Sequence, residues 1–258
     1  IKKAKIKKEI VFNIVNDRGG GDLRRVQFGL VKWNRKLEGK TLHDWAIMKG
    51  LKPTPENGAE LVMEAIQNGG ASCIYHVLSD EDVERIMKHP LTMTGSDGRL
   101  TEPGSGHPHP RWYGAFPRVL GHYVREKGVL KLEDAIRKMT SLPAARVGLK
   151  QRGKIKPGYY ADLVVFDPEK IIDKATFTEP HQYPEGIHYV FINGTLAIDK
   201  GKFLNQRPGQ VLRRSHHSHS TVYPGEKWQK WKTPEAAGWS NTKIDEAKKY
   251  ADSLKTEA

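Results

Sequence analysis

The sequence has little cysteine and no long apolar run. Cys73 is the one cysteine among 258 residues, which excludes an intrachain disulfide framework and a thiolate zinc cluster and fits a reducing compartment. No apolar run approaches the roughly 20 residues that a membrane helix needs. These absences predict a soluble, cytoplasmic protein that has no membrane partner.

The amino end lacks two further features. The opening "IKKAKIKKEI" has no initiating Met and no apolar core of a signal peptide. We therefore expect the sequence to be a fragment of a longer chain.

Acidic residues are outnumbered by basic ones, and the formal net charge is +13. Such an excess suits nucleic-acid binding, because basic stripes neutralise phosphates. The basic residues are spread along the whole chain, however, and aromatic residues alternate with them only in "KWQKWK" (227–232). A solvated basic surface is therefore favoured over a nucleic-acid site.

Helical and strand patterns alternate over the first 150 residues. Apolar and β-branched runs predict strands at 9–16, 24–33, 71–77 and 91–94. Apolar spacing of three and four residues, with caps and Gly or Pro stops, predicts helices. The helices are expected at 41–50, 54–70, 79–90 and 116–128, with two short pieces in 132–149. The alternation over 41–149 predicts parallel β/α units.

The pattern changes after Gly148. A turn leads into the strand "ADLVVFDP", and "HYVFINGTLAIDKGKF" predicts a hairpin with a type I′ turn at Asn193-Gly194. The predicted division is therefore a β/α domain at 1–150, a small β subdomain at 151–214, and a linker with a helical tail at 215–258.

Asp97 lies where the predicted strand 91–94 breaks into Gly-Ser-Asp-Gly. In β/α proteins the carboxyl ends of the strands usually carry the chemistry. Asp97 is therefore a candidate functional residue, and the structural alternative is a turn or helix-capping aspartate before Gly98.

Several segments resemble a known family in order and spacing. "HPLTMTGSDG", "GHPHPRWYGAFPRVLGHYVREKG" and "GYYADLVVFDPEK" are similar to the carboxyl half of N-acyl-D-amino-acid deacylases. These enzymes are the D-aminoacylase branch of the amidohydrolase superfamily. The resemblance spans residues from about 10 to 214, and it is most specific from 79 to 214.

The resemblance implies an α/β fold, namely the C-terminal part of a distorted (β/α)₈ TIM-type barrel with a small β subdomain. It implies zinc at the barrel mouth and hydrolysis of the N-acyl bond of a D-amino acid, in which a metal-bound water attacks the acyl carbon. Asp97 matches the general base and acid. Arg111 matches the arginine that binds the substrate carboxylate, with a surface arginine stacked on Trp112 as the alternative. Tyr75 matches a pocket tyrosine.

The chain's own histidines and cysteine are not expected to bind the zinc. His107 and His109 imitate a His-x-His pair, but in the family that pair follows the first barrel strand. His216, His217 and His219 are more consistent with a solvated linker, and Cys73 with a small strand residue. By the resemblance, the strands that carry the metal ligands are missing. The chain alone is therefore expected to bind no catalytic zinc, to lack activity, and to associate with the missing barrel half or with itself.

The tail over 223–254 resembles the amino-terminal start of serine β-lactamase-like hydrolases. Ser240 would cap a helix that carries Ile244, Ala247, Tyr250, Ala251 and Leu254. The match ends before any Ser-x-x-Lys nucleophile, so no serine chemistry is assigned. An unrelated capped amphipathic helix is the alternative to a fused second enzyme.

Three classes of function stay open. The leading one is a zinc amidohydrolase that acts on N-acyl-D-amino acids. A cyclic-amide hydrolase of the dihydroorotase or hydantoinase type is the near alternative, and a non-catalytic basic binding module is the third. The upstream coding sequence would discriminate best, because a His-x-His pair there would complete the metal site.

Overall fold

A computed structural model describes residues 2–18, 20–212, 232–233, 235 and 240–253. The chain divides into two compact units, residues 1–214 and 215–258. The separation of a β/α domain from a β subdomain at 150/151 stays a prediction. In the part of the chain described, no helix is long and apolar enough to cross a membrane. The cytoplasmic location also stays a prediction.

The first unit combines helices with two antiparallel sheets, an α/β arrangement. Short 3₁₀ turns occur at Leu23–Arg25 and Arg35–Leu37. In chain order the other elements are α1 Lys2–Asn16, β1 Val26–Leu30, α2 Leu42–Met48, α3 Pro55–Gln67, β2 Ser72–Tyr75, α4 Asp80–Lys88, α5 Arg111–Arg118, a π-helix Val119–Glu126, α6 Leu132–Met139, α7 Ser141–Val147, β3 Leu163–Phe166, β4 Ile187–Ile192, β5 Thr195–Asp199 and β6 Lys202–Phe203.

The helices that carry local start signals begin where the sequence predicts. The Thr41 hydroxyl accepts from the Asp44 N–H, and Asp44 Oδ2 accepts from the Thr41 N–H at 2.8 Å, so a capping box starts α2. Thr54 caps α3 and Ser79 caps α4 in the same way, through their hydroxyls. These predicted helices are confirmed.

The strand predicted at 9–16 is wrong, because these residues lie in α1. Ile10 and Ile14 are four residues apart, so both reach one side of the helix and pack against the buried core. Lys7 Nζ adds a 2.8 Å ion pair to Glu60 on α3. Packing against a neighbouring helix has thus outweighed the strand preference of β-branched residues.

The strand predicted at 91–94 does not form, and this segment runs as a turn and irregular chain. The Thr94 N–H donates to the Lys138 carbonyl rather than to a sheet, at 3.2 Å. Leu91 is exposed, so the segment lacks the two-sided burial that a barrel strand requires. Asp97 therefore follows a loop, and not the end of a strand.

The parallel β/α units predicted over 41–149 do not form among the described residues, since β2 pairs with β1, which lies before that range. β1 and β2 form a two-stranded antiparallel sheet in which Val26 lies opposite Tyr75 and Phe28 opposite Cys73. The connection between them holds both α2 and α3, and a connection of that length permits either strand direction. Alternation of helices and strands therefore did not determine the direction of β2.

The second sheet has the order β3-β4-β5-β6, and every neighbouring pair is antiparallel. Asn193 and Gly194 join β4 to β5 with φ values of 50° and 81°. Positive φ at both central residues is what a type I′ turn requires, so the predicted hairpin is confirmed.

Two buried clusters hold the first unit together. One lies between α1, β1, α2 and α3 and includes Phe28, Leu42 and Trp45. The other surrounds the π-helix and α6, where Val119, Leu120 and Ala135 meet Ile171. The second cluster joins the helical region to the chain segment that leads into β4.

Gly121 of the π-helix provides a stability test of this junction. A Cβ at this position would lie 2.4 Å from the Ile171 carbonyl oxygen and 3.0 Å from Ile172 Cα, so backbone would have to move. We expect Gly121→Ala to lower the free energy of unfolding by about 1–3 kcal/mol in urea titrations, since overpacking outweighs the helix preference of alanine. The matched control is Gly209→Ala, because nothing lies within 4 Å of the added carbon there. Equal stability of the two variants would contradict the close approach.

The second unit contains one described helix, α8 (Asn241–Ser253). Ser240 precedes it, and its Oγ accepts from the Lys243 N–H at 3.4 Å, as predicted for a capping residue. The predicted apolar face at Ala247, Tyr250, Ala251 and Leu254 lies outside the described side chains, as do His216, His217, His219 and residues 227–231. The resemblance of this tail to β-lactamase-like hydrolases stays a prediction.

Candidate active site

A cavity of about 360 Å³ lies beside β2 and the loop that precedes α5. Its wall includes all three predicted site residues, Tyr75, Asp97 and Arg111. Residues from β1, β2 and the long loop 95–110 therefore surround one space. The wall also includes Gly29, Ser72, Ile74, His107, His109 and Trp112.

Asp97 and Arg111 form an ion pair at this cavity. Arg111 Nη2 donates to Asp97 Oδ2 at 2.6 Å, and Arg111 Nε donates to the Asp97 carbonyl at 3.2 Å. The Asp97 side chain is 86% exposed and that of Arg111 is 40% exposed. The carboxylate thus faces open space, and the guanidinium of the first residue of α5 holds it in place.

The backbone at Asp97 is in the left-handed region, with φ at 44°. Aspartate tolerates this region better than most residues, and the adjoining Gly98 donates its N–H to Ser96 Oγ at 3.2 Å. The N-cap position of α5 is occupied by Pro110, not by Asp97. The Asp97 carboxylate therefore contacts Arg111 from an irregular stretch of chain, and it does not cap a helix.

His107 and His109 both contact the backbone. His107 Nε2 donates to the Phe177 carbonyl at 2.7 Å, and His109 Nδ1 accepts from the Arg111 N–H at 3.1 Å. Burial, and then the positive charge of Arg111, lower the pKa of His109 to about 4. His109 is therefore neutral near pH 7.

The described residues do not make a metal site by themselves. Among them, no group of three or more His, Cys, Asp or Glu side chains is placed to hold a metal ion. Burial raises the pKa of Cys73 to about 11, so this thiol stays protonated near neutral pH and is a poor zinc ligand. Asp97 is a suitable oxygen ligand on its own, but it lacks partners within these residues.

Tyr75 lies at the end of β2 and lines two cavities. It borders the cavity of Asp97 and also a more apolar cavity of about 380 Å³ between α1, α3 and β1. Burial raises the pKa of Tyr75, and the Arg18 guanidinium lies 4.8 Å from its ring centroid. The phenol is thus a neutral hydrogen-bonding group at neutral pH.

Sequence reasoning missed a buried polar group, Gln27, that supports this site. Gln27 is 6% exposed, and its Nε2 donates to the carbonyls of Gly39 at 3.0 Å and Phe177 at 2.8 Å. Its Oε1 lies 3.1 Å from His76 Nε2 and accepts that proton. The sequence carries no signal for this role, because a polar residue between the apolar Val26 and Phe28 is the ordinary alternation of a strand.

Comparison with known proteins identifies similar sequences. A sequence profile described as the Amidohydrolase family matches residues 24–198, which include Tyr75, Asp97 and Arg111. A D-aminoacylase of Alcaligenes xylosoxydans xylosoxydans is 43% identical over 191 residues, or 69% of this chain and 38% of that protein. An N-acyl-D-aspartate deacylase of the same organism is 50% identical over 142 residues, or 55% of this chain and 28% of that protein.

Solved structures give the same result. A crystal structure of D-aminoacylase has a TM-score of 0.66 and 42% identity, covering 74% of this chain and 38% of that one. An N-acyl-D-glutamate deacylase from Bordetella bronchiseptica, complexed with zinc and a phosphonate inhibitor, has a TM-score of 0.64 and 37% identity over the same shares. The chain thus spans well under half the length of the relatives that it matches.

Proposed function

The chain belongs to the amidohydrolase family, and on that premise we propose that it supplies the carboxyl-terminal part of a zinc-dependent N-acyl-D-amino-acid deacylase. The observation that carries this proposal is the ion pair of Asp97 and Arg111 at one cavity, with 2.6 Å between Oδ2 and Nη2. One group can move a proton, and the other can bind a carboxylate.

Arg111 is proposed to bind the α-carboxylate of the substrate. A guanidinium has five N–H donors, and Asp97 occupies two of them in this structure. The remaining donors suit a carboxylate, which a planar fork binds with two parallel hydrogen bonds. Tyr75, on the wall of the same cavity, offers a neutral phenol to the acyl end of the substrate.

Asp97 is proposed as the general base and then the general acid. Its carboxylate accepts one proton from a water molecule as the water oxygen bonds to the acyl carbon. The C–N bond then breaks, and the proton passes from Asp97 to the departing amine nitrogen. The products are a carboxylic acid and a free D-amino acid.

The proposal assigns the zinc ligands to polypeptide outside the described residues. It is supported by the zinc bound to the Bordetella bronchiseptica relative and by the incomplete set of donors found here. The proposal also assigns this chain to part of a (β/α)₈ barrel. Within the part of the chain described, β2 pairs with β1 alone. The side chains of Leu78, Leu91 and Leu100 are exposed, and on this proposal a further part of the barrel would cover them.

A chimera tests the proposal. Residues 24–214 would replace the matched segment of the Alcaligenes D-aminoacylase, and the purified chimera would be loaded with zinc. We expect hydrolysis of N-acetyl-D-amino acids, no hydrolysis of the L enantiomers, and no turnover by the present chain alone with added zinc.

The outcomes separate the alternatives. A folded, zinc-containing chimera that hydrolyses no N-acyl-D-amino acid would refute the proposal. Hydrolysis of hydantoins or dihydroorotate instead would favour the cyclic-amide class. Retention of the present chain on DNA that is lost steeply with salt would favour the basic binding module.

A further inference from the structure

Lys138, near the end of α6, is a buried charged residue that has no part in the proposed reaction. It is 1% exposed. Its Nζ donates to the His89 carbonyl, to the Thr92 carbonyl at 3.2 Å and to Thr92 Oγ1 at 3.3 Å. An ammonium group has three hydrogens, so these three acceptors satisfy all of them.

The end of α6 holds the same segment through two further contacts. Arg137 Nη2 donates to the Pro90 carbonyl at 2.9 Å, and the Lys138 carbonyl accepts from the Thr94 N–H at 3.2 Å. Together these contacts fix residues 89–94, which form no regular secondary structure beyond a turn. This segment pairs with no neighbouring strand, and α6 provides partners for the carbonyls of His89, Pro90 and Thr92 and for the Thr94 N–H.

Asp97 follows this segment by three residues. Contacts flank Asp97 on both sides along the chain, from Arg111 beyond it and from α6 before it.

We propose that Lys138 is a positioning residue for Asp97: its ammonium group holds the 89–94 segment so that the Asp97 carboxylate meets Arg111 at the cavity. The catalytic role of the Asp97 carboxylate rests on the proposed function, whereas its placement against Arg111 can be tested without that function. A charged donor suits the task, because hydrogen bonds from an ionised group are stronger than neutral ones.

The test uses the Arg111 Nε–H, which donates to the Asp97 carbonyl and therefore reports on the position of this loop. We expect Lys138→Met to speed the exchange of this hydrogen with water at least about 5-fold, since the His89 and Thr92 carbonyls lose the charged donor that links them to α6 and the segment loosens. Lys138→Arg keeps a charged donor and is expected to restore the exchange rate to within about 2-fold.

Lys127→Met is the matched control, because Lys127 makes a surface ion pair with Glu84 at 2.6 Å and lies outside the segment. Exchange at Arg111 is expected to stay unchanged in this variant. If Lys138→Met folds with an unchanged Arg111 exchange rate, the proposal is wrong. If it does not fold, Lys138→Gln replaces it, and the same comparison with wild type decides the matter.

In the chimera, Lys138→Met is expected to lower kcat about 10- to 100-fold with KM within about 2-fold, as for a misplaced catalytic group. A purely structural role would lower the amount of active enzyme without changing the kcat of the folded fraction. An inactive wild-type chimera would refute the proposed function, whereas the Arg111 exchange rates would still decide the role of Lys138.

Discussion

Asp97→Asn is expected to lower kcat for an N-acetyl-D-amino acid by about 10³-fold or more in the zinc-loaded chimera, while KM changes less than about 3-fold. The amide keeps the size of the side chain and can still contact Arg111, but it cannot accept a proton from water. Steady-state kinetics at saturating zinc measure both constants.

Arg111→Met provides the contrasting variant. Loss of the guanidinium should raise KM by about 10²-fold, since the substrate carboxylate loses a charged partner. Asp97→Glu retains the acid–base group at a displaced position and is expected to keep part of the activity. The proposed roles would be contradicted if Asp97→Asn retained wild-type kcat, or if both variants changed only KM.

Local sequence signals predicted the helices well because each carries its own start and stop. Thr41 with Asp44, Thr54 with Pro55, and Ser79 satisfy free N–H groups within a few residues. The Asn193-Gly194 hairpin was predictable for the same reason, since positive φ at both positions is a property of the turn residues themselves.

Non-local packing determined what the sequence did not predict. Residues 9–16 have strand-forming composition, yet contact with α3 makes them helical. Residues 91–94 resemble a buried strand, but the Thr92 carbonyl accepts from Lys138 of α6 and the Thr94 N–H donates to the Lys138 carbonyl. Neither interaction leaves a signal within the segment concerned.

The candidate site also contains residues that the sequence pointed to and one that only the fold reveals. Asp97 and Arg111 are 14 residues apart, and their roles were predicted from family resemblance, not from spacing. Gln27 was missed because its partner Phe177 lies 150 residues away. A buried amide that links such distant backbone groups is recognised only when the fold is known.

Trp45→Ala is expected to lower the free energy of unfolding of the chain by about 3–5 kcal/mol, a large part of the stability of an ordinary domain. Trp45 is 3% exposed and packs edge-on against Phe28, with ring centroids 5.6 Å apart, and against Trp33 at 5.7 Å. Alanine would leave a cavity between α2 and β1. Urea titration followed by far-UV circular dichroism measures the loss.

Ile47→Ala on the same helix is the control, because Ile47 is largely exposed and should cost less than about 1 kcal/mol. Similar losses for both variants would contradict the packing of Trp45 in the core. The comparison also bears on the site, since β1 carries Phe28 on its core face and Gln27 towards His76 and Phe177. A core that loosens at Trp45 should therefore speed hydrogen exchange at the Gln27 side chain before the whole unit unfolds.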